Sequence, residues 1–172
     1  MVKIHIEHVF PDITPKQFFA LLVDPVYDNA LKPALGVKAR DELDRQEDDK
    51  TIRRRIRMVP GFPIPSAVKK AIGDKELEYI EESTLHKDAL RLEWSVKPNI
   101  FPDKVTAKGV VLATAQGSGI RRVIEGEIKV DVFGVGGIIE RAVKESVERS
   151  YEKASDFTLK WIRDGKLKDL KV

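Results

Sequence analysis

The strongest constraint on what this chain can fold into lies towards its C-terminal end. From Ile138 to about Arg163 the apolar residues Ile139, Val143, Val147, Tyr151, Ala154, Phe157, Trp161 and Ile162 recur every three to four positions, with charged residues such as Glu140, Lys144, Glu148 and Lys153 between them. That spacing predicts one amphipathic helix. At about 1.5 Å per residue it would run roughly 38 Å, longer than most helices of a small domain. Such a helix needs a wide apolar surface to lie on, and the sequence upstream offers strands for the purpose.

Residues 2 to 10 place Val2, Ile4, Ile6, His8 and Phe10 on one parity and Lys3, His5 and Glu7 on the other, the period of a half-buried strand. Pro11 and Asp12 break it. Thr14 as N-cap and Pro15 as first helical residue then open a short helix over roughly 15–23, with Phe18, Phe19, Leu21 and Leu22 at helical spacing. Asp24 and Pro25 repeat the device, and a second short helix built on Val26, Tyr27, Ala30, Leu31 and Leu35 stops at Gly36. Strand patterning returns over 37–46 and 50–59, over 76–86 and 89–98, and over 105–116 and 119–132, each pair joined by a polar or glycine turn. Residues 60–74 carry three prolines and then a short amphipathic run on Ile64, Val68, Ala71 and Ile72, which reads as a loop with a short helix inside it. The order is therefore strand, two short helices, six strands in hairpins and one long helix. It predicts an α+β fold, a helix-grip in which a curved antiparallel sheet of about seven strands wraps the C-terminal helix, as a single domain over 1–172.

The run Pro15-Lys16-Gln17-Phe18-Phe19-Ala20-Leu21-Leu22-Val23-Asp24-Pro25-Val26-Tyr27 has the form P-x-x-F-x-x-x-x-x-D-P followed by an aromatic. With the strand before it and the closing helix, it resembles the START-like superfamily, also described as Bet v 1-like, SRPBCC or polyketide cyclase-like. The hairpin turn and the closing GVGGIIERAVKESVERSYEKASDFTLKWI are most similar to its DUF2505 subgroup of unassigned function. The resemblance implies the helix-grip fold and an internal cavity for a hydrophobic small molecule. Its motifs are structural and imply no catalytic residue and no cofactor.

Composition narrows the function classes. The absence of cysteine removes disulfides, thiol nucleophiles and thiolate metal sites. The opening MVKIHIEHVF alternates where a signal peptide would be continuously apolar, so a cytoplasmic protein is expected. Lys and Arg exceed Asp and Glu only by 31 to 28, and the one basic run, Arg53, Arg54, Arg55 and Arg57, alternates faces opposite Glu76, Glu78, Glu81 and Glu82. Cross-strand ion pairs account for it, and nucleic acid is not an expected partner. His5, His8 and His86 are the only histidines, and His5 and His8 lie on opposite faces, so no metal site is predicted. Gly134, Gly136 and Gly137 read as a strand-to-helix corner in preference to an anion loop.

Polar residues in phase with apolar strand faces mark the candidate site, because burial without a partner costs free energy and a ligand is one partner. His8 follows Ile4 and Ile6, Arg54 sits between Ile52 and Ile56, and Arg122 sits between Ile120 and Ile124. With Tyr79, Trp94, Ile124, Val147 and Tyr151 they form the predicted ligand-binding set. The alternative is that these side chains lie at strand ends and reach solvent or a carboxylate such as Asp41, Glu81 or Glu125. Phe62, Ile64, Val68 and Ile72 are the predicted gate over a cavity mouth; a transient membrane-surface contact beside Lys69 and Lys70, or simple packing on the sheet edge, are the other readings of that segment. No protein partner is expected.

Three functions compete. The first is non-catalytic binding or transport of a lipid-like or polycyclic small molecule, favoured by small residues Ala107, Gly109, Ala113 and Ala115 that leave room along one strand. The second is a cyclase or hydratase-type enzyme, which needs an acid/base pair such as His8 with Asp41 within about 3 Å of a common point. The third is an interaction module whose core is packed solid by Phe10, Trp94, Phe133, Phe157 and Trp161.

Overall fold

Local signals in the sequence set the element boundaries. In the structure, a computed structural model that describes every residue except Phe62, Pro65 and Val172 and leaves the side chains of Ala67 and Ala71 outside the described set, strand β1 (Val2–Phe10) ends where Asp12 turns to a φ of 55°. Helix α1 (Pro15–Leu22) starts on a capping box: Thr14 Oγ1 accepts from Gln17 N at 3.2 Å and Gln17 Oε1 accepts from Thr14 N at 2.9 Å. Helix α2 (Pro25–Leu35) starts on Asp24, whose carboxylate accepts from Tyr27 N at 2.8 Å, and stops at Gly36, where φ is 68°.

Strands β2 (Ala39–Glu47) and β3 (Thr51–Val59), β4 (Tyr79–His86) and β5 (Arg91–Pro98), and β6 (Val105–Gln116) and β7 (Gly119–Val130) follow, with helix α3 (Ser66–Ile72) after β3 and helix α4 (Gly136–Arg163) at the end. All pairings are antiparallel, in the order β1-β7-β6-β5-β4-β3-β2, so the first strand closes against the last. The seven-stranded curved sheet, the two short helices after β1 and the long closing helix are as predicted. Inward phase is kept as well: on β7, Ile120, Arg122, Ile124, Ile128 and Val130 are buried, and on β3, Ile52, Arg54, Ile56 and Met58. The basic run resolves on the outer face, with Arg57 paired to Glu78 at 2.8 Å and to Asp41 at 3.4 Å and Arg55 to Glu82 at 3.2 Å, while Arg54 turns inward.

Several element boundaries differ from the sequence reading. The strand predicted from residue 76 begins at Tyr79, because Asn99 takes over the backbone of the preceding residues: its side chain accepts from Glu78 N at 3.1 Å and donates to Glu76 O at 3.0 Å. The long helix begins at Gly136 rather than Ile138, since its apolar stripe starts only at Ile139 and glycines leave no trace in that periodicity. A Cβ on Gly136 would meet Val130 O at 2.3 Å, so this corner requires glycine. After Gly165 the tail forms one 3₁₀ turn, Lys166–Asp169, where only an end was expected.

The buried core lies between the inner face of the sheet and the helices. Helix α4 crosses β7 and β1 and meets α2. Buried Glu140 is accounted for there, accepting from Val130 N at 2.9 Å and tying the start of α4 to the end of β7. Among the described residues no helix is long and apolar enough to cross a membrane.

Candidate functional site

The inner face of the sheet and helix α4 do not meet along their whole length, and a cavity of about 340 Å³ lies between them. Strands supply every second residue, such as Tyr79, Glu81 and Ser83 from β4, Trp94 from β5 and Arg122 from β7. Helix α4 supplies one stripe at helical spacing: Ala142 and Val143, Ser146 and Val147, Ser150 and Tyr151. Tyr27 and Asp28 of α2 border it, and Ile64, with Val68 and Ile72 of α3, lines it as well.

The predicted residues divide. Arg54, Tyr79, Trp94, Arg122, Val147 and Tyr151 line the cavity, and so do Ile64, Val68 and Ile72 of the predicted gate; Phe62 lies outside the described residues. Ile124 is 0% exposed but packs in the core away from the cavity wall. His8 stands one layer behind the wall, its Nδ1 2.7 Å from Arg122 Nη2 and its Nε2 3.0 Å from Glu152 Oε1. The pairing of His8 with Asp41 is not formed, because β1 and β2 are the two ends of the sheet order and Asp41 pairs with Arg57.

The room expected along β6 is also redistributed. Ala107 lines the cavity, but Ala115 is exposed near the strand end. At Gly109 the space is taken by the Trp94 indole, whose Cζ2 would be 2.6 Å from an added Cβ, and at the paired Gly126 by the same atom at 3.1 Å. These glycines make room for tryptophan, not for a ligand. Of the side chains expected to pack the core solid, Phe133 is 103% exposed at the β7–α4 corner, and Phe157 and Trp161 pack against Tyr27 in tilted and edge-on geometry, the ring centroids 5.4–5.7 Å apart. None of Phe133, Phe157 and Trp161 lines the cavity, which they leave unfilled.

One side of the lining is a compensated charge cluster. Arg40 donates through Nε and Nη2 to Asp28 Oδ1 at 3.1 and 2.8 Å, while Arg54 donates to Glu42 at 2.6 Å and to Leu22 O at 3.0 Å and lies 3.4 Å from Asp28. Burial pushes the Asp28 carboxyl up, but the guanidinium groups of Arg40 and Arg54 outweigh it and hold the group below its ordinary range. Tyr79 and Tyr151 are pushed well above the ordinary phenol range, first by burial and then by the nearby Glu81 charge, so both stay protonated donors. Asp28, Arg40, Glu81 and Ser83 were missed by sequence reasoning. Glu81 and Ser83 had a signal, lying in phase with Tyr79 and Leu85, and Asp28 sits three residues before Leu31 on the buried side of α2. Arg40 had none, because β2 is a largely exposed edge strand without alternation.

A curved seven-stranded antiparallel sheet closing with a long C-terminal helix over a cavity defines the START-like, Bet v 1-like class of folds. Within that class, residues 6–162 match the family described as "Protein of unknown function (DUF2505)", and the chain belongs to it. Solved structures share the fold at low sequence identity. A protein of Thermus thermophilus is 20% identical with a TM-score of 0.66, over 92% of this chain and 97% of that one. The Zhui aromatase/cyclase of a Streptomyces species is 10% identical with a TM-score of 0.59, over 92% of each chain. A START superfamily protein of Mycobacterium smegmatis is 10% identical with a TM-score of 0.54, over 90% of this chain and 94% of that one. No curated protein matches the chain in sequence.

Proposed function

We propose that the protein binds or carries a hydrophobic small molecule, lipid-like or polycyclic, in the cavity between its sheet and helix α4. The observation that carries this reading is the cavity itself: about 340 Å³ of space, walled mainly by apolar side chains and bordered by a few polar groups, within the usual size range of small-molecule sites. Ile64, Val68 and Ile72 cover one end of it and serve as the gate. Gly61 approaches Gly36 so closely that a Cβ there would meet Gly36 O at 2.1 Å, which anchors the start of that segment. Val68 and Ile72 are buried against the cavity, leaving Lys69 and Lys70 as exposed surface on α3; a gate accounts for this better than insertion into a membrane.

Native mass spectrometry of protein purified from cells tests the reading. A retained apolar molecule is expected in the wild type and should be lost in Ala142→Phe, which fills the cavity from α4. A wild type with no bound mass, together with failure to take up any apolar dye, would remove the proposal.

A second reading, a cyclase or hydratase-type enzyme, is favoured by one arrangement. Glu81, Tyr79 and Tyr151 all line the cavity and none has a hydrogen-bond partner among the described residues, so a carboxylate and two phenols are available to move a proton on a bound ligand. Under that reading Glu81→Gln would retain an unprocessed molecule whose mass differs from the one held by the wild type; equal masses would exclude it.

A further inference from the structure

Three arginines line the cavity, and their surroundings differ. Arg40 and Arg54 are neutralised by Asp28 and Glu42. Arg122 is 2% exposed and has no carboxylate within ion-pair distance among the described residues. Among the described residues its Nε is buried with no partner, and its only hydrogen bond runs from Nη2 to His8 Nδ1. Since guanidinium can only donate, that ring nitrogen is the acceptor, and His8 Nε2–H faces Glu152. Glu152 is 66% exposed and reaches Arg122 only through a neutral imidazole.

The remaining surroundings of Arg122 are aromatic. Its guanidinium carbon lies 4.9 Å from the Phe10 ring centroid, 5.5 Å from Tyr151 and 6.0 Å from Phe18. Ring faces attract the cation, but they leave the in-plane N–H donors unsatisfied. A charge withdrawn from water without a counterion is costly, and the guanidinium keeps its charge at neutral pH. An anionic oxygen arriving in the cavity would supply what is missing.

We propose that the ligands of this cavity carry a singly charged anionic head group, a carboxylate for instance, held by Arg122, with the apolar remainder lying along the β5, β6 and α4 walls. This rests on the ligand-binding reading above and narrows its class to amphipathic anions. One charge suits the site better than two, because Arg122 is the cavity arginine left without a carboxylate partner among the described residues, and Glu81 borders the same cavity and repels a dianion.

The neutral fluorophore phenylnaphthylamine reports cavity occupancy, and its displacement by dodecanoate and by dodecanol compares two ligands of the same chain length, one with an anionic head group and one with a neutral one. The wild type should bind dodecanoate about 10-fold or more tighter than dodecanol, the ratio expected of a charge-assisted hydrogen bond. Arg122→Met should lose that preference while still binding phenylnaphthylamine, and Arg122→Lys should keep part of it. Equal displacement by the two ligands in the wild type, with the dye bound, would overturn the anionic assignment and leave the cavity function standing. A preference that persists in folded Arg122→Met would take the role from Arg122. No binding of dye or either ligand would remove both proposals. The wild-type comparison needs no variant, so it decides the ligand class even if Arg122→Met does not fold.

Discussion

His8 stands between a buried cation and a surface carboxylate, and its protonation state decides which of them it can serve. Burial and then the Arg122 charge lower its pKa below the ordinary 6.5, against the opposing pull of Glu152 and Asp156 on α4. The sign of the pH dependence follows from linkage. Above 6.5 the ring is neutral in both folded and unfolded chains; as pH falls below that value the unfolded chain takes up the proton first, so stability falls with pH until the folded pKa is passed. Protonation would also place two donors face to face at Nδ1 and Arg122 Nη2. Urea unfolding of the wild type should therefore show a loss of stability as the pH falls through the ordinary histidine value that is smaller in His8→Gln, whose amide can accept from Arg122 and donate to Glu152 without titrating. Identical pH profiles for the two proteins would mean that His8 contributes nothing to this window.

Helix α2 shows how an element carries residues to the site. Its N-cap Asp24, its first residue Pro25 and its stop at Gly36 were all readable locally, and together they set the phase that points Tyr27, Leu31 and Leu35 inward. Tyr27 donates to Thr158 Oγ1 at 2.7 Å, and Thr158 donates onward to Ala154 O at 2.7 Å, so α2 is fastened to α4 by a buried hydroxyl pair. Asp24→Ala removes the cap and should cost about 1 kcal/mol in thermal or urea unfolding, the usual value of an N-cap. Because Asp28 rides on the same helix, the variant should also weaken binding in the cavity; an unchanged stability would show that tertiary packing alone holds α2. Strand β5 illustrates a converse case. Trp94 lies on the inward face expected of it, yet Gly109 opposite it on β6, expected to leave room, is covered by the indole, as is Gly126 beside it on β7.

For the molecule as a whole, closure of β1 on β7 is the organising event. It joins the first strand to the last and places β7 between two neighbours under α4, while β2 remains an exposed edge. Hydrogen exchange read by mass spectrometry should find the β7 amides among the slowest and those of β2 among the fastest, since local opening is easiest where burial is least. Protection of β2 equal to that of β7 would mean that the sheet opens only as a unit. The sequence by itself determined the order of elements and the hairpin neighbours, and it offered an inward phase for Arg54, Tyr79, Trp94 and Arg122 against the alternative of strand ends, because caps, turns and periodicity are short-range signals. Only the tertiary structure decided that His8 sits opposite Arg122 on β7, that Asp28 and Arg40 neutralise each other, and that Ile124 packs in the core while Arg122 lines the cavity. Those contacts join segments far apart in the chain, and a cavity is the volume that packing leaves over, a property of no single stretch of residues.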